Sequence, residues 1–397
     1  MHASLRHAAA TLALLSLASA QSLSEDLASA IAGNPNLSLF RSLIGAAPQG
    51  FDKTLSAKST DITVLIPSDE AIQSYLSTSG VSDITELDAE DVQTFFKYHV
   101  LAASLKSSDF DSPKGKAIPT LLEGTQYNNR SAGAQITREY GKDAIGQVVF
   151  AARNDAKGNR GKRQSGGQNV SLRAGLAQDV EMTAIDGSWG PKQANSFQIV
   201  NSVLIPPRAC STTIQTVGDK RLTALGAALN KTDLWNALDH SPNVTCLAPS
   251  TDAFKDAGDP QISLSKTDLT GALLAHTLKE VTYTNYLEDG MVLGTLNNTT
   301  VRVHIKNNDI YFNNAKVIKG NVLTNNGLIH ILDSVIMAEA SDEPSSTSSS
   351  NAPSDTSTES PTSSSSEPSS PQTTDAANMV SAGYPAVVAL VAGLFMV

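Results

Sequence analysis

The sequence predicts two tandem copies of one domain that mixes strands and helices, and three pairs of matching segments carry that prediction. Thr63 to Ile72 returns as Thr245 to Phe254, with a Pro-Ser step at Pro67-Ser68 and again at Pro249-Ser250. Phe96-Lys97-Tyr98-His99-Val100-Leu101 returns as Leu273-Leu274-Ala275-His276-Thr277-Leu278. Phe197 to Leu204 returns as Ile329 to Ile336. Chance seldom keeps three such matches in one order.

The first segment reads as a short apolar strand, a Pro stop and a helix start. Ser68 and Ser250 are placed as N-caps, and Asp69, Glu70 and Asp252 follow where the helix dipole favours acids. That reading competes with paired-carboxylate catalysis and explains the spacing better. The second segment reads as the end of an amphipathic helix with one histidine. A lone histidine on an apolar helix is expected to be a core residue whose ring bridges two backbone groups, rather than a base or a ligand. The third segment, apolar and β-branched, reads as a buried strand, and His330 within it is expected to be structural too. From the first segment to the histidine the two copies have nearly equal spacing. From the histidine to the third segment the first copy is about 45 residues longer. The excess is expected as an insertion at about 124–195. Its polar, Gly-rich and basic part, Arg153 to Gln168, reads as an exposed loop. Within it, Lys162-Arg163 could serve as a dibasic cleavage site or a polyanion contact.

These residues resemble the fasciclin, or FAS1, domain family. The strand-Pro-helix box resembles its first signature and Tyr98-His99 its central pair. Asn326 to Val335 resembles its closing box, and Tyr286 to Gly290 with Thr295-Leu296 its middle segment. The resemblance covers roughly 22–338. It implies an α+β fold: two tandem FAS1-like domains, each a β-sandwich or wedge with packed helices. It also implies adhesion and matrix contact rather than catalysis. The sequence departs from the family pattern at Ala275, where Tyr is usual, and at Gln198 and Asn201, where the closing box usually has His and Asp. The stalk and anchor described next resemble those of fungal surface fasciclin proteins.

The two ends point to export. Residues 1–20 read as a signal peptide: Arg6 gives a positive start, Ala8 to Leu17 is apolar, and Ala18-Ser19-Ala20 has the small-x-small form of a cleavage site. Domain 1 is then 21–207 and domain 2 is 211–338. Residues 341–375 form a disordered Ser/Thr/Pro-rich stalk with no means of burying a core. Residues 376–397 read as a glycosylphosphatidylinositol (GPI) attachment signal, with Asp375, Ala376 and Asn378 as candidate attachment residues. The apolar end, Pro385 to Val397, is shorter than the ~20 residues a spanning helix needs.

N-glycosylation sequons stand at Asn36, Asn129, Asn169, Asn230, Asn243, Asn297 and Asn298. The two cysteines, Cys210 and Cys246, are expected to bridge in an oxidising compartment, with two buried thiols as the alternative. The formal net charge of −10 argues against nucleic acid as a partner. No G-x-S-x-G, H-E-x-x-H or phosphate-loop spacing occurs. No catalytic residue, metal or cofactor is expected. The function expected is a non-catalytic surface or cell-wall glycoprotein for adhesion or wall organisation. Its partners would be matrix or wall glycans and proteins, other surface proteins, and the membrane through the anchor lipid. The alternative is a glycan-modifying or lipid-binding surface protein with a site in the domain 1 insertion.

Overall fold

The structure is a computed structural model that describes residues 22–56, 61–83, 86–153, 170–216 and 220–337. The signal peptide, stalk and anchor signal lie outside the described residues, as do Asn169 and Lys162-Arg163. The described residues belong to one compact unit.

Two seven-stranded sheets carry the architecture. The first holds β1 (Thr63–Pro67), β2 (Val100–Leu101), β3 (Lys116–Pro119), β4 (Val148–Arg153), β5 (Val170–Arg173), β6 (Asp179–Trp189) and β7 (Asn195–Val200), in the order β2-β1-β7-β6-β5-β4-β3. The second holds β8 (Val244–Pro249), β9 (Thr277–Leu278), β10 (Val292–Gly294), β11 (Thr300–Lys306), β12 (Asp309–Phe312), β13 (Ala315–Thr324) and β14 (Gly327–Leu332), in the order β9-β8-β14-β13-β12-β11-β10. Strand for strand the two orders are the same, so the repeat in sequence is a repeat in topology. In each copy the first and last strands, β1 with β7 and β8 with β14, run parallel. The remaining pairings are antiparallel. Isolated bridges Leu101↔Thr120 and Leu278↔Thr295 bring the two edges of each sheet together, so each sheet curls into a wedge around its own interior.

The helices follow from the same sequence logic. Copy one has α1 (Leu23–Ala30), α2 (Ser38–Ala46), α3 (Pro48–Ser56), α4 (Asp69–Ser79), α5 (Ala89–His99) and, between β3 and β4, α6 (Gly133–Tyr140). Copy two has α7 (Cys210–Thr216), α8 (Thr223–Thr232), α9 (Trp235–His240), α10 (Thr251–Asp256), α11 (Pro260–Ser263) and α12 (Lys266–Ala275). The Pro-Ser steps work as expected at the starts of α4 and α10: Ala71 N–H donates to Ser68 Oγ and Ala253 N–H to Ser250 Oγ, both at 3.2 Å. Asp69 does something else. Its carboxylate accepts from Ser38 N (3.1 Å), Ser38 Oγ (2.6 Å) and Leu39 N (2.8 Å), so it caps α2 from outside. Thr251 reaches α8 in the same way, accepting from Ala224 N at 3.3 Å.

Each central strand is buried on both faces. Val64 and Ile66 point into a helix-side core with Phe40, Phe51, Phe95 and Phe96, whereas Leu65 points into the wedge interior with Tyr98, Phe110 and Leu172. Cys246 and Ala248 face the helices of copy two, and Leu247 faces its wedge interior. This is the two-residue alternation of a strand serving two cores at once.

The expected single insertion at about 124–195 is corrected. Strands β4, β5 and β6 lie inside that range and are the counterparts of β11, β12 and β13. Most of the extra length sits at two separate connections. Residues 120–147 join β3 to β4 where copy two uses 295–299, and residues 154–169 join β4 to β5 where copy two uses 307–308. Two lengthened connections around strands that share no motif with their counterparts in copy two read, in the sequence, as one insertion.

The parallel pair also fixes a backbone approach. A Cβ on Gly327 would lie 1.8 Å from Val244 O, whereas one on Gly294 would meet nothing within 4 Å. Gly327→Ala is therefore expected to cost about 2 kcal/mol or more, and Gly294→Ala a few tenths. Paired denaturant melts check this; equal midpoints would show that β8 and β14 do not approach as described.

Candidate functional site

The signature residues are the natural place to look for a site, and Tyr98, His99, His276 and His330 among them are buried. His99 ends α5 and is fully buried. Its Nδ1 lies 2.8 Å from Phe95 O, the helical i−4 carbonyl, and its Nε2 accepts from Leu204 N at 3.0 Å. His276, just past α12, repeats the arrangement: Nδ1 lies 2.8 Å from Ala272 O, and Nε2 accepts from Ile336 N at 2.9 Å. Each imidazole thus ties a helix end to the segment after the last strand. Because Nδ1 faces a carbonyl and Nε2 an N–H, the ring must be the neutral Nδ1–H tautomer.

The departures from the family pattern keep the same contacts. Gln198 and His330 both face a bulge in the neighbouring strand. Gln198 Oε1 accepts from Ile185 N (2.9 Å) and Asp186 N (3.1 Å), while His330 Nδ1 accepts from Asn321 N (3.3 Å) and its Nε2 lies 2.8 Å from Thr282 O. Asn201 Oδ1 accepts from Glu181 N, and Asp333 Oδ1 from Lys316 N, both at 2.9 Å. Thr63 and Thr245 repeat one another too, each donating to a carbonyl at 2.7 Å and accepting a backbone N–H. Tyr98 is the exception. Its hydroxyl donates to Val148 O at 3.2 Å inside the wedge, and Ala275 offers no counterpart.

The two copies meet along a built seam. Phe150 stacks on Tyr283, with centroids 6.4 Å apart, in an apolar cluster that also takes Ile136 and Val148 from copy one and Leu323 and Leu328 from copy two. Around it, Arg173 Nη1 donates to Gly320 O (2.6 Å), Lys319 Nζ to Asp179 Oδ2 (3.1 Å), and Gln147 Nε2 to Thr324 O (3.2 Å). Tyr286 Oη donates to Glu139 Oε2 at 3.1 Å. Much of copy one's share comes from residues 120–147, so the described part of the lengthened region serves as an interdomain surface. Among the described residues, no group of three or more His, Cys, Asp or Glu side chains is arranged to hold a metal. No described helix is long and apolar enough to cross a membrane.

The cysteines correct a second expectation. Cys210 on α7 and Cys246 on β8 share one core cluster but are free thiols, without the expected bridge. Burial among apolar side chains pushes Cys246 up to about 12 and Cys210 well above the ordinary thiol range, so both behave as small core hydrophobes. The sequons divide by environment. Asn36, Asn230, Asn297 and Asn298 are exposed, whereas Asn129 and Asn243 are half-buried at the seam. On the outer surface, an open groove of about 690 Å³ runs between α1 and α2, lined by Glu25, Ser29, Ser38, Arg41 and Ser42. The Arg41 Nε there is enclosed and has no hydrogen-bond partner.

Comparison with known proteins agrees with this architecture. The fasciclin-domain family model matches residues 35–154 and 220–338. The chain belongs to the fasciclin-domain family. A fasciclin-like arabinogalactan protein, elcF, of Phaeosphaeria nodorum is 25% identical over 83% of this chain and 92% of its own length. A second, CTB11 of Cercospora beticola, is 22% identical over 82% of this chain and 79% of its own. A solved FAS1 domain pair from the insect cell adhesion molecule fasciclin I aligns with 14% identity and a TM-score of 0.34, over 77% of this chain and 98% of its own.

Two measurements follow. Burial holds His99 and His330 down to about 4 from 6.5, and holds His276 below its usual value. At His99 and His330 the unfolded chain takes up the proton near pH 6.5 and the folded chain only near 4. Stability is therefore full above about pH 6.5 and falls across that window, by on the order of 3 kcal/mol for each of His99 and His330. His330→Gln, the residue copy one uses at this place, should fold at pH 7 and show a shallower acid loss in pH-dependent melts. An unchanged slope would place the titrating group elsewhere. For the thiols, a maleimide should label no cysteine in the native protein and both after denaturation without reductant. No labelling after denaturation would show a bridge.

Proposed function

We propose that this chain is a non-catalytic surface glycoprotein whose paired domains stand on a glycosylated stalk and a lipid anchor and contact wall or matrix polymers. The observation that carries the reading is where the family's signature groups are spent. The histidines are neutral and saturated with backbone hydrogen bonds inside the core, so they have no proton or lone pair left for chemistry. The described part of the lengthened region packs against the second domain instead of framing a pocket. Both features suit a rigid presenting module. The relatives named as fasciclin-like arabinogalactan proteins support a cell-surface or wall setting, and the Ser/Thr-rich segment with its short apolar end supports anchoring near Asp375 to Asn378.

For the contact itself we look to the groove beside Arg41. Arg41 lines this groove, and its guanidinium would give an acidic chain a cation to pair with there. The flanking serine hydroxyls suit a hydroxyl-rich chain, so the ligand class favoured is an acidic polysaccharide of the wall or matrix.

One set of experiments tests location and contact separately. A phospholipase that cuts GPI should release the protein from intact cells, and deleting Tyr384 to Val397 should send it into the medium. Retention on the membrane after both treatments would sink the anchor. On a glycan and matrix-protein array, residues 21–338 should bind uronate-bearing polymers, and Arg41→Ala should weaken that binding about tenfold or more. Equal binding by both forms would remove the groove from the reading and leave the location intact.

A further inference from the structure

The acceptor tripeptide Asn129-Arg130-Ser131 is built into the seam: Asn129 is half-buried and Arg130 buried, and Ser131 keeps an exposed surface while bonding across to copy two. Asn129 N donates to Asn325 O at 2.6 Å, and Asn129 Nδ2 donates to His240 O at 3.4 Å, both in copy two. Arg130 is only 8% exposed, and its guanidinium is consumed by Gln147 Oε1 (3.2 Å), Ser131 O (3.1 Å) and Gly146 O (2.8 Å). Ser131 donates twice to one oxygen, Asn243 Oδ1: from its backbone N at 2.6 Å and from Oγ at 2.9 Å. Asn243 is itself the first residue of a sequon. One copy's sequon serine is therefore held by the other copy's sequon asparagine. Asn36 and Asn297 present the contrast, since both are exposed and make no side-chain hydrogen bond with the protein.

We propose that the sequon at Asn129 acts as an interdomain lock, and that a glycan on Asn129 and closure of the domain pair exclude each other. N-glycosylation joins Asn129 Nδ2 to the anomeric carbon of a lipid-pyrophosphate oligosaccharide. One amide proton is lost and the lipid pyrophosphate leaves. The new sugar ring, on a nitrogen that lies 3.4 Å from His240 O in a half-buried side chain, would crowd the surface of copy two. Closure would then lose the Asn129 contacts, and the Ser131–Asn243 pair beside them would part. Asn243 keeps its place in the lock through Oδ1, the atom that glycosylation leaves untouched, so the exclusion is specific to the amide nitrogen of Asn129. An occupied Asn129 thus marks a chain with uncoupled domains, and an empty one marks the closed pair.

The test attaches the sugar without relying on the glycosylation machinery. Asn129→Cys and Asn297→Cys are each alkylated with a chitobiosyl iodoacetamide, and each product is compared by calorimetry with its own unalkylated form. The sugar at 129 should lower the unfolding midpoint by at least about 5 °C or split a single transition into two. The sugar at 297 should leave the trace unchanged. A trace unaffected by the sugar at 129 overturns the proposal. Equal disturbance from both sites also overturns it, since the effect would then not belong to the seam. Glycopeptide mapping of the secreted protein supplies the second readout. Single-transition material should have Asn129 unmodified, and a modified Asn129 in that fraction would overturn the exclusion.

Discussion

The fold depends on a neutral imidazole placed between a helix-end carbonyl and a backbone N–H that follows the last strand. At the end of α5 the His99 ring lies against the i−4 carbonyl on one side and takes the N–H of Leu204 on the other. Leu204 follows β7, which pairs in parallel with β1, and β1 leads into α4. One ring thus joins the helix layer to the sheet's crossing point, across more than a hundred residues of chain. His276 repeats the contact in copy two to within 0.1 Å in both distances. An amide or hydroxyl side chain would lack the imidazole's rigid span between donor and acceptor. Leaving the strand-end N–H buried and unpaired would cost on the order of 1–3 kcal/mol.

Around that constraint the two copies vary as physics permits. The bulge beside the closing strand needs an acceptor for the N–H groups it exposes. Copy two supplies an imidazole nitrogen from His330 and copy one an amide oxygen from Gln198. The corner after the strand needs an acceptor for one more N–H, which Asp333 or Asn201 provides equally well. What differs between the copies is where they face each other. The lengthened connection of copy one carries α6, Arg130 and Ser131 to the seam. Among the described residues no carboxylate forms an ion pair with Arg130 there. Three oxygens from its own copy neutralise the cost of its burial and stiffen the segment that copy two grips.

The repeat, the N-caps and the burial of the histidines were legible because each rests on a local pattern: a Pro after an apolar run, a Ser before acids, a lone histidine in an apolar segment. The strands β4, β5 and β6 were not legible, because Val148 to Arg153 and Val170 to Arg173 carry no motif that pairs them with β11 and β12. Separated by a long polar loop, they read as part of an insertion. Asp69 was assigned to its own helix because sequence sees only neighbours, whereas its carboxylate turns back some thirty residues to cap α2. The seam was invisible for the same reason. A sequon is recognised by three consecutive residues, and nothing in Asn129-Arg130-Ser131 says that a second sequon more than a hundred residues away receives its serine.

The same logic separates structure from function in this chain. A group that acts on a substrate must change its protonation or its partners at ordinary pH, and His99 and His330 are arranged so that neither happens: burial holds both near 4, with each ring nitrogen facing a backbone group. Residues that mark the family are for that reason poor guides to what an individual member binds. The informative positions are those that the shared core leaves unconstrained. These are Arg41, which lines the groove between α1 and α2, and the sequons, of which Asn129 and Asn243 lie at the seam. Since the core contacts of the two copies are nearly interchangeable, differences in binding between copies must arise from their surfaces and from the seam.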